Sequence, residues 1–245
     1  MNATRRSGIG LSIAQPLLDA FAPPQWKTTL ILLTSTVLML TWSYFASPPF
    51  LADRFNAGGG DGRLAGAVGN FVGCFVLLGV MPALVIRLVL RERLAAYGVG
   101  WGMPRRTWGA AAALLPVFLL VAYVARTDAS LLSKFPINPR AGESAAMFAL
   151  HAATYALFYV GWEFHFRGYL LFGLRPAIGA CNAVLLQTMA SSLLHIGSPA
   201  AETFGAILAG LLWGVLALWT RSLVPSLVQH FLLGIALDAF ICFVR

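Results

Sequence analysis

Glu163 and Arg167 stand four residues apart inside a stretch, Ser144 to Leu174, that is otherwise apolar and long enough to cross a bilayer. A helix would put the pair on one face, one turn apart. An ionisable residue at the bilayer centre costs roughly 2.5–3.5 kcal/mol on insertion scales. Two reasons would justify keeping such a pair. One is a buried ion pair that fixes helix packing, and for the pair alone this is the better reading. The other is a catalytic carboxylate held in place by an arginine.

The remaining intramembrane polar groups bear on that choice. His195 falls near the end of the fifth apolar stretch, Glu202 just before the sixth, and His230 and Asp238 on the seventh. Facing lipid, each would be costly, so the economical arrangement turns them toward one polar cavity. Carboxylate and histidines from three helices suit hydrolysis. A carboxylate takes a proton from water, one histidine shares it, and a second donates to a developing oxyanion. His151 reads instead as an interfacial or packing residue. His165, about 200° around the helix from Glu163, should face away from the site. Asp238 lies roughly 80° off the face of His230; it would orient a neighbour or pair with Arg167.

The elements that must position these groups are membrane helices. Of 245 residues, 59% are hydrophobic and 11% charged, with mean hydropathy +0.78; soluble domains carry about a quarter charged residues. The sequence predicts an all-α polytopic bundle forming one membrane domain over residues 1–245. Residues 1–27 would be a surface segment, and residues 142–245 would hold the catalytic helices. Seven spans are expected, at about 28–46, 64–90, 108–124, 144–174, 178–196, 203–219 and 223–244. Asn70 should bond between helices, Pro82 should kink the second span, and Gly210 and Gly214 should allow close helix approach. Cys74, Cys181 and Cys242 read as packing residues. The net charge of +8 needs no nucleic acid, because the basic residues cluster beside apolar runs. Their distribution favours an integral protein of the cell membrane with a cytoplasmic N-terminus.

Glu163-Phe-His-Phe-Arg167-Gly168, then His195, then His230, on successive helices, resemble the CAAX protease and bacteriocin-processing family of intramembrane glutamic endopeptidases. The resemblance covers about the last hundred residues, together with Pro82 to Gly98. The family commonly has two adjacent glutamates, the first activating water; here Trp162 holds the first place and Glu163 the second. Ser191 stands where a Phe is usual, and Gly234 where an Asn or Asp is usual. The stretch His195-Ile-Gly-Ser-Pro-Ala-Ala-Glu202 resembles a bacterial branch with a Trp-Glu first motif. On that resemblance Glu202 is a rival or partner to Glu163.

The polar residues and the resemblance together predict an intramembrane endopeptidase without a cofactor, acting in the bilayer on a protein or peptide substrate. Glu163, with Glu202 assisting, would deprotonate a water held by His195. His230 would stabilise the oxyanion or donate to the leaving amine, and Arg167 would hold Glu163. Two alternatives stand beside it. One is a zinc protease using His195, His230 and a carboxylate, although the close histidine spacing of common zinc proteases is absent. The other is an inactive scaffold or immunity protein. The expected span ends leave one conflict: His195 falls near one face of the membrane and His230 nearer the other, unless the fifth span is tilted or starts later.

Overall fold

The computed structural model describes residues 15–244. The expected surface segment therefore lies outside the described residues up to position 14. It continues as α1 (Gln15–Phe21). The long helices are α2 (Trp26–Phe45), α4 (Gly62–Val89), α5 (Pro104–Ala125), α6 (Ala145–Leu193), α7 (Ala200–Thr220) and α8 (Val224–Phe243), with α3 (Pro48–Ala57) between α2 and α4. All six long helices are apolar and long enough to cross a membrane. Their outward faces carry exposed Val37, Leu40, Val121, Val124, Leu208 and Val215. So much contiguous apolar surface belongs against lipid, and the chain is an all-α integral membrane bundle.

The helix starts are legible in local chemistry. The Asp61 carboxylate accepts from the Leu64 amide and the Ser144 hydroxyl from the Met147 amide, satisfying donors that helix N-termini leave free. Proline opens α3 and α5 and stands near the start of α8, where its missing N–H costs nothing.

Among the described residues, six long helices stand where seven spans were expected, and α6 explains the difference. It runs for 49 residues but leaves helical geometry at Gly179, at φ 81° and ψ 164°. Trp162 and His195, nearly equidistant from Gly179 in sequence, meet edge to face at 5.4 Å. The chain therefore doubles back at Gly179, and α6 contains both the fourth and fifth expected spans. Glu163 and His195 each stand sixteen residues from that turn, which brings them to one level. The conflict over depth disappears because the returning arm starts at the turn and stops at Leu193. Its length, about 21 Å at 1.5 Å per residue, is short of the ~30 Å hydrocarbon layer.

Close helix contacts fix the positions of the arms. Asn70 Nδ2 donates to the Ala46 carbonyl at 2.9 Å, as expected of an interhelical group. Gly210 lies against Thr188 and Gly214 against Gln187, whose Nε2 donates to the Gly210 carbonyl at 2.8 Å. Pro82 sits between two widened turns of α4, Phe75–Val80 and Val85–Val89. Such turns accommodate a break in the regular ladder. Lys27 Nζ binds both Glu92 carboxylate oxygens at 2.8 Å, and Tyr97 Oη donates to the same group at 2.6 Å, tying α2 to the loop after α4.

Gly161 makes a close backbone contact near the site. A Cβ there would lie 2.6 Å from the Cys74 carbonyl and 2.8 Å from the Phe75 Cα. Gly161→Ala must push α4 away, two residues from Glu163. Overpacking of this kind costs about 1–3 kcal/mol. A lowered midpoint of thermal unfolding in detergent is the expected result; an unchanged midpoint would show that the helices separate without cost.

Candidate active site

Glu163 is 1% exposed and Arg167 2%. They lie in and beside the widened turn Phe164–Phe172, with Arg167 Nη1 3.4 Å from Glu163 Oε1. The same carboxylate oxygen lies 2.7 Å from His230 Nδ1. A carboxylate beside an imidazole nitrogen selects the tautomer that donates to it. Nδ1–H therefore points at Glu163, leaving Nε2 free on the other side of the ring.

The His230 ring is clamped. Tyr159 lies at 4.5 Å and Trp213 at 4.3 Å between ring centroids. Trp213 Nε1 donates to Gln229 Oε1 at 2.9 Å, and Gln229 Nε2 donates to the Ala110 carbonyl at 2.6 Å. These bonds join α5, α7 and α8 immediately behind the histidine. The Arg167 guanidinium also lies over Trp213, 5.5 Å from its ring centroid.

His195 and Glu202 form a second pair. In the turn after Leu193, His195 Nδ1 donates to the Ser191 carbonyl at 2.8 Å. Its Nε2 lies 3.8 Å from Glu202 Oε1. That separation exceeds a direct hydrogen bond and lets one water bridge the two groups. Glu202 is gripped by Lys134 Nζ, at 2.7 and 2.8 Å from its two oxygens, and Lys134 also reaches Ser198 at 2.8 Å. Nothing local in the sequence marks Lys134, 68 positions away from its partner in a loop. Tyr159 and Trp213 escape a sequence reading for another reason: in an apolar helix, aromatic residues read as packing groups.

One cavity of about 780 Å³ joins the two pairs. Arg167, His195, Glu202 and His230 all line it, with Lys134 and Tyr159. Glu163 does not. It lies behind His230 and lines a separate apolar cavity of about 320 Å³ with Gly79, Val160 and Leu223. The carboxylate with access to the shared cavity is Glu202.

Three further residues sit apart. Asp238 makes no pair with Arg167; its Oδ2 lies 2.7 Å from His151 Nε2, and both side chains are fully buried. His151, which reads as a packing residue in the sequence, supplies the partner of that carboxylate from one helix across. His165 is buried against the rings of Phe166 and Tyr169. Among the described residues, no group of three or more His, Cys, Asp or Glu side chains is placed to hold a metal ion.

Burial holds the His195 imidazole below the ordinary histidine value of 6.5, against the opposing pull of the Ser191 carbonyl and the Glu202 charge. The neutral ring is the form whose Nε2 can accept from a water. A reaction that uses it should stay flat as pH falls through 6.5 and decline only below. The acid limb of kcat/KM against pH checks this; a limb centred at or above 6.5 contradicts it.

No curated protein and no solved structure matches the chain. Residues 143–236, the segment that carries Glu163, Arg167, His195, Glu202 and His230, match the family model described as Type II CAAX prenyl endopeptidase Rce1-like, a similarity that agrees with the resemblance to the CAAX protease and bacteriocin-processing family.

Proposed function

We propose that this protein is an intramembrane endopeptidase in which Glu202 and His195 activate the water and His230, backed by Glu163 and Arg167, serves the carbonyl side. The observation that carries the reading is the convergence of His195, Glu202 and His230 on one cavity, with Glu163 walled off behind His230. Water placed between His195 Nε2 and Glu202 Oε1 gives up a proton to the carboxylate as its oxygen attacks the scissile carbonyl carbon. The carbonyl π pair moves onto oxygen. Collapse of the tetrahedral intermediate expels the amine, which takes the proton back from Glu202. The clamped His230 ring fixes the opposite wall, where Arg167 adds positive charge near the developing oxyanion.

This arrangement moves the water-activating role from Glu163 to Glu202. Trp162, in the place of the family's first glutamate, packs edge-on against His195, and Glu202 approaches the same histidine from α7. The substrate is a membrane-embedded or membrane-delivered protein segment, suited to a cavity lined largely by apolar side chains. The arginine-rich loops favour a cytoplasmic N-terminus in a bacterial cell membrane.

The test is a comparison of protein termini by mass spectrometry in membranes from cells expressing wild-type protein or His195→Ala at matched levels. Termini present only with the wild type support the reading, and identical sets of termini sink it. Repeating any identified cleavage with purified protein in chelator separates the zinc alternative: full activity is expected.

A further inference from the structure

Gly234 stands where the resembling family carries a polar side chain, one turn after the second histidine. The space that side chain would fill is not empty. A Cβ at Gly234 would collide with the Tyr159 hydroxyl and lie 2.9 Å from Tyr159 Cζ. Tyr159 comes from α6, one turn before Glu163, and its ring packs on His230 at 4.5 Å. Tyr159 and Gly234 both line the cavity shared by His195, Glu202 and His230. The missing side chain on α8 and the intruding hydroxyl from α6 thus occupy one position.

We propose that the Tyr159 hydroxyl is the hydrogen-bond donor to the oxyanion, delivered from α6 into the gap that Gly234 leaves on α8. This rests on the endopeptidase reading and supplies what that reading lacks. His230 donates through Nδ1 to Glu163, so its neutral ring presents a lone pair, and not a proton, to the cavity. Arg167 provides charge there. Tyr159 provides a directed O–H, the group that suits an oxygen gaining an electron pair. No proton is transferred from it: the phenol donates a hydrogen bond as the carbonyl becomes the alkoxide and relaxes when the carbonyl re-forms. The ring is held by packing on Tyr155 at 4.6 Å and on His230, so the donor is oriented before substrate arrives.

Tyr159→Phe removes the hydroxyl and keeps the ring. With a peptide bearing a cleavage site found in the termini comparison, kcat should fall by about 10²–10³-fold, the range for loss of one oxyanion donor, with KM within twofold. Gly234→Ala reaches the same hydroxyl from the other helix: its added methyl displaces the phenol, and kcat should fall as well. In the Tyr159→Phe background the alanine should add little further loss in kcat, because the group it displaces is already gone. The proposal is overturned if Tyr159→Phe or Gly234→Ala keeps kcat within threefold of wild type while Glu202→Gln is inactive; the endopeptidase reading then stands without Tyr159. Equal cleavage by wild type and His195→Ala overturns both.

Discussion

Replacing Glu202 by glutamine is expected to lower the cleavage rate by between about 10² and 10⁴-fold, the usual contribution of a positioned general base. Size and shape are kept, so Lys134 still has an amide oxygen to approach, and the protein should unfold at nearly the wild-type temperature. What is lost is the lone-pair basicity at the oxygen 3.8 Å from His195 Nε2. Glu163→Gln is the necessary companion. Its amide oxygen still accepts from His230 Nδ1, so the imidazole keeps its tautomer and its place. The rate loss should be smaller, and the thermal midpoint should fall because Arg167 loses its countercharge. Single-turnover rates of both variants, at matched folding, decide between the two carboxylates. An inactive Glu163→Gln beside a Glu202→Gln of near wild-type rate would return the base to Glu163.

Arg167→Met is expected to be the most destabilising single change, at about 3–5 kcal/mol, the cost of breaking a buried pair by removing one partner. Glu163 is 1% exposed and one of its oxygens already lacks a hydrogen-bond partner in the protein. Without the guanidinium, the carboxylate is left among apolar groups with His230 alone. The double variant Glu163→Gln with Arg167→Met should recover most of that loss, because replacing both charges removes the uncompensated one. It should not recover activity, since the cavity loses the positive charge of Arg167. Chemical or thermal unfolding in detergent reads the first effect and single-turnover kinetics the second. If the double variant is no more stable than Arg167→Met, the pair contributes through packing and not through charge.

Much of this was legible in the sequence where a single chain segment carries the signal. The apolar runs located every long helix, and Asn70, Gly210 and Gly214 made the interhelical contacts their chemistry suggests. The grouping of His195, Glu202 and His230 followed from the cost of polar groups in lipid. Pairings were less legible, because they depend on how helices rotate against one another. Asp238 was expected to orient a neighbour or to pair with Arg167; it bonds His151, which the sequence did not mark as its partner. Lys134, on a loop, gives no periodic signal that links it to Glu202. Tyr159 looks like any aromatic residue until Gly234, far along the chain, is seen to make room for it. The turn at Gly179 was hidden for another reason: the fourth span was expected to end at residue 174, just before Pro176, yet Pro176 lies inside α6 and the backbone departs three residues later.

The graded exposure of the polar groups has a consequence for turnover. Side-chain exposure falls from 32% at Lys134 to 20% at Glu202 and 17% at both histidines, then to 1% at Glu163. Hydrolysis in a bilayer consumes a water and, at neutral pH, must exchange protons with bulk as the new termini ionise. A ladder of partly exposed groups, with the loop residue Lys134 the most exposed of them, would provide both traffic routes along one edge of the site. On the proposed endopeptidase reading, the site would rehydrate from that edge while the peptide stays in the apolar part of the cavity. Resetting between cycles would then require no separation of helices, and Glu163, off the shared cavity behind His230, would stay out of the exchange.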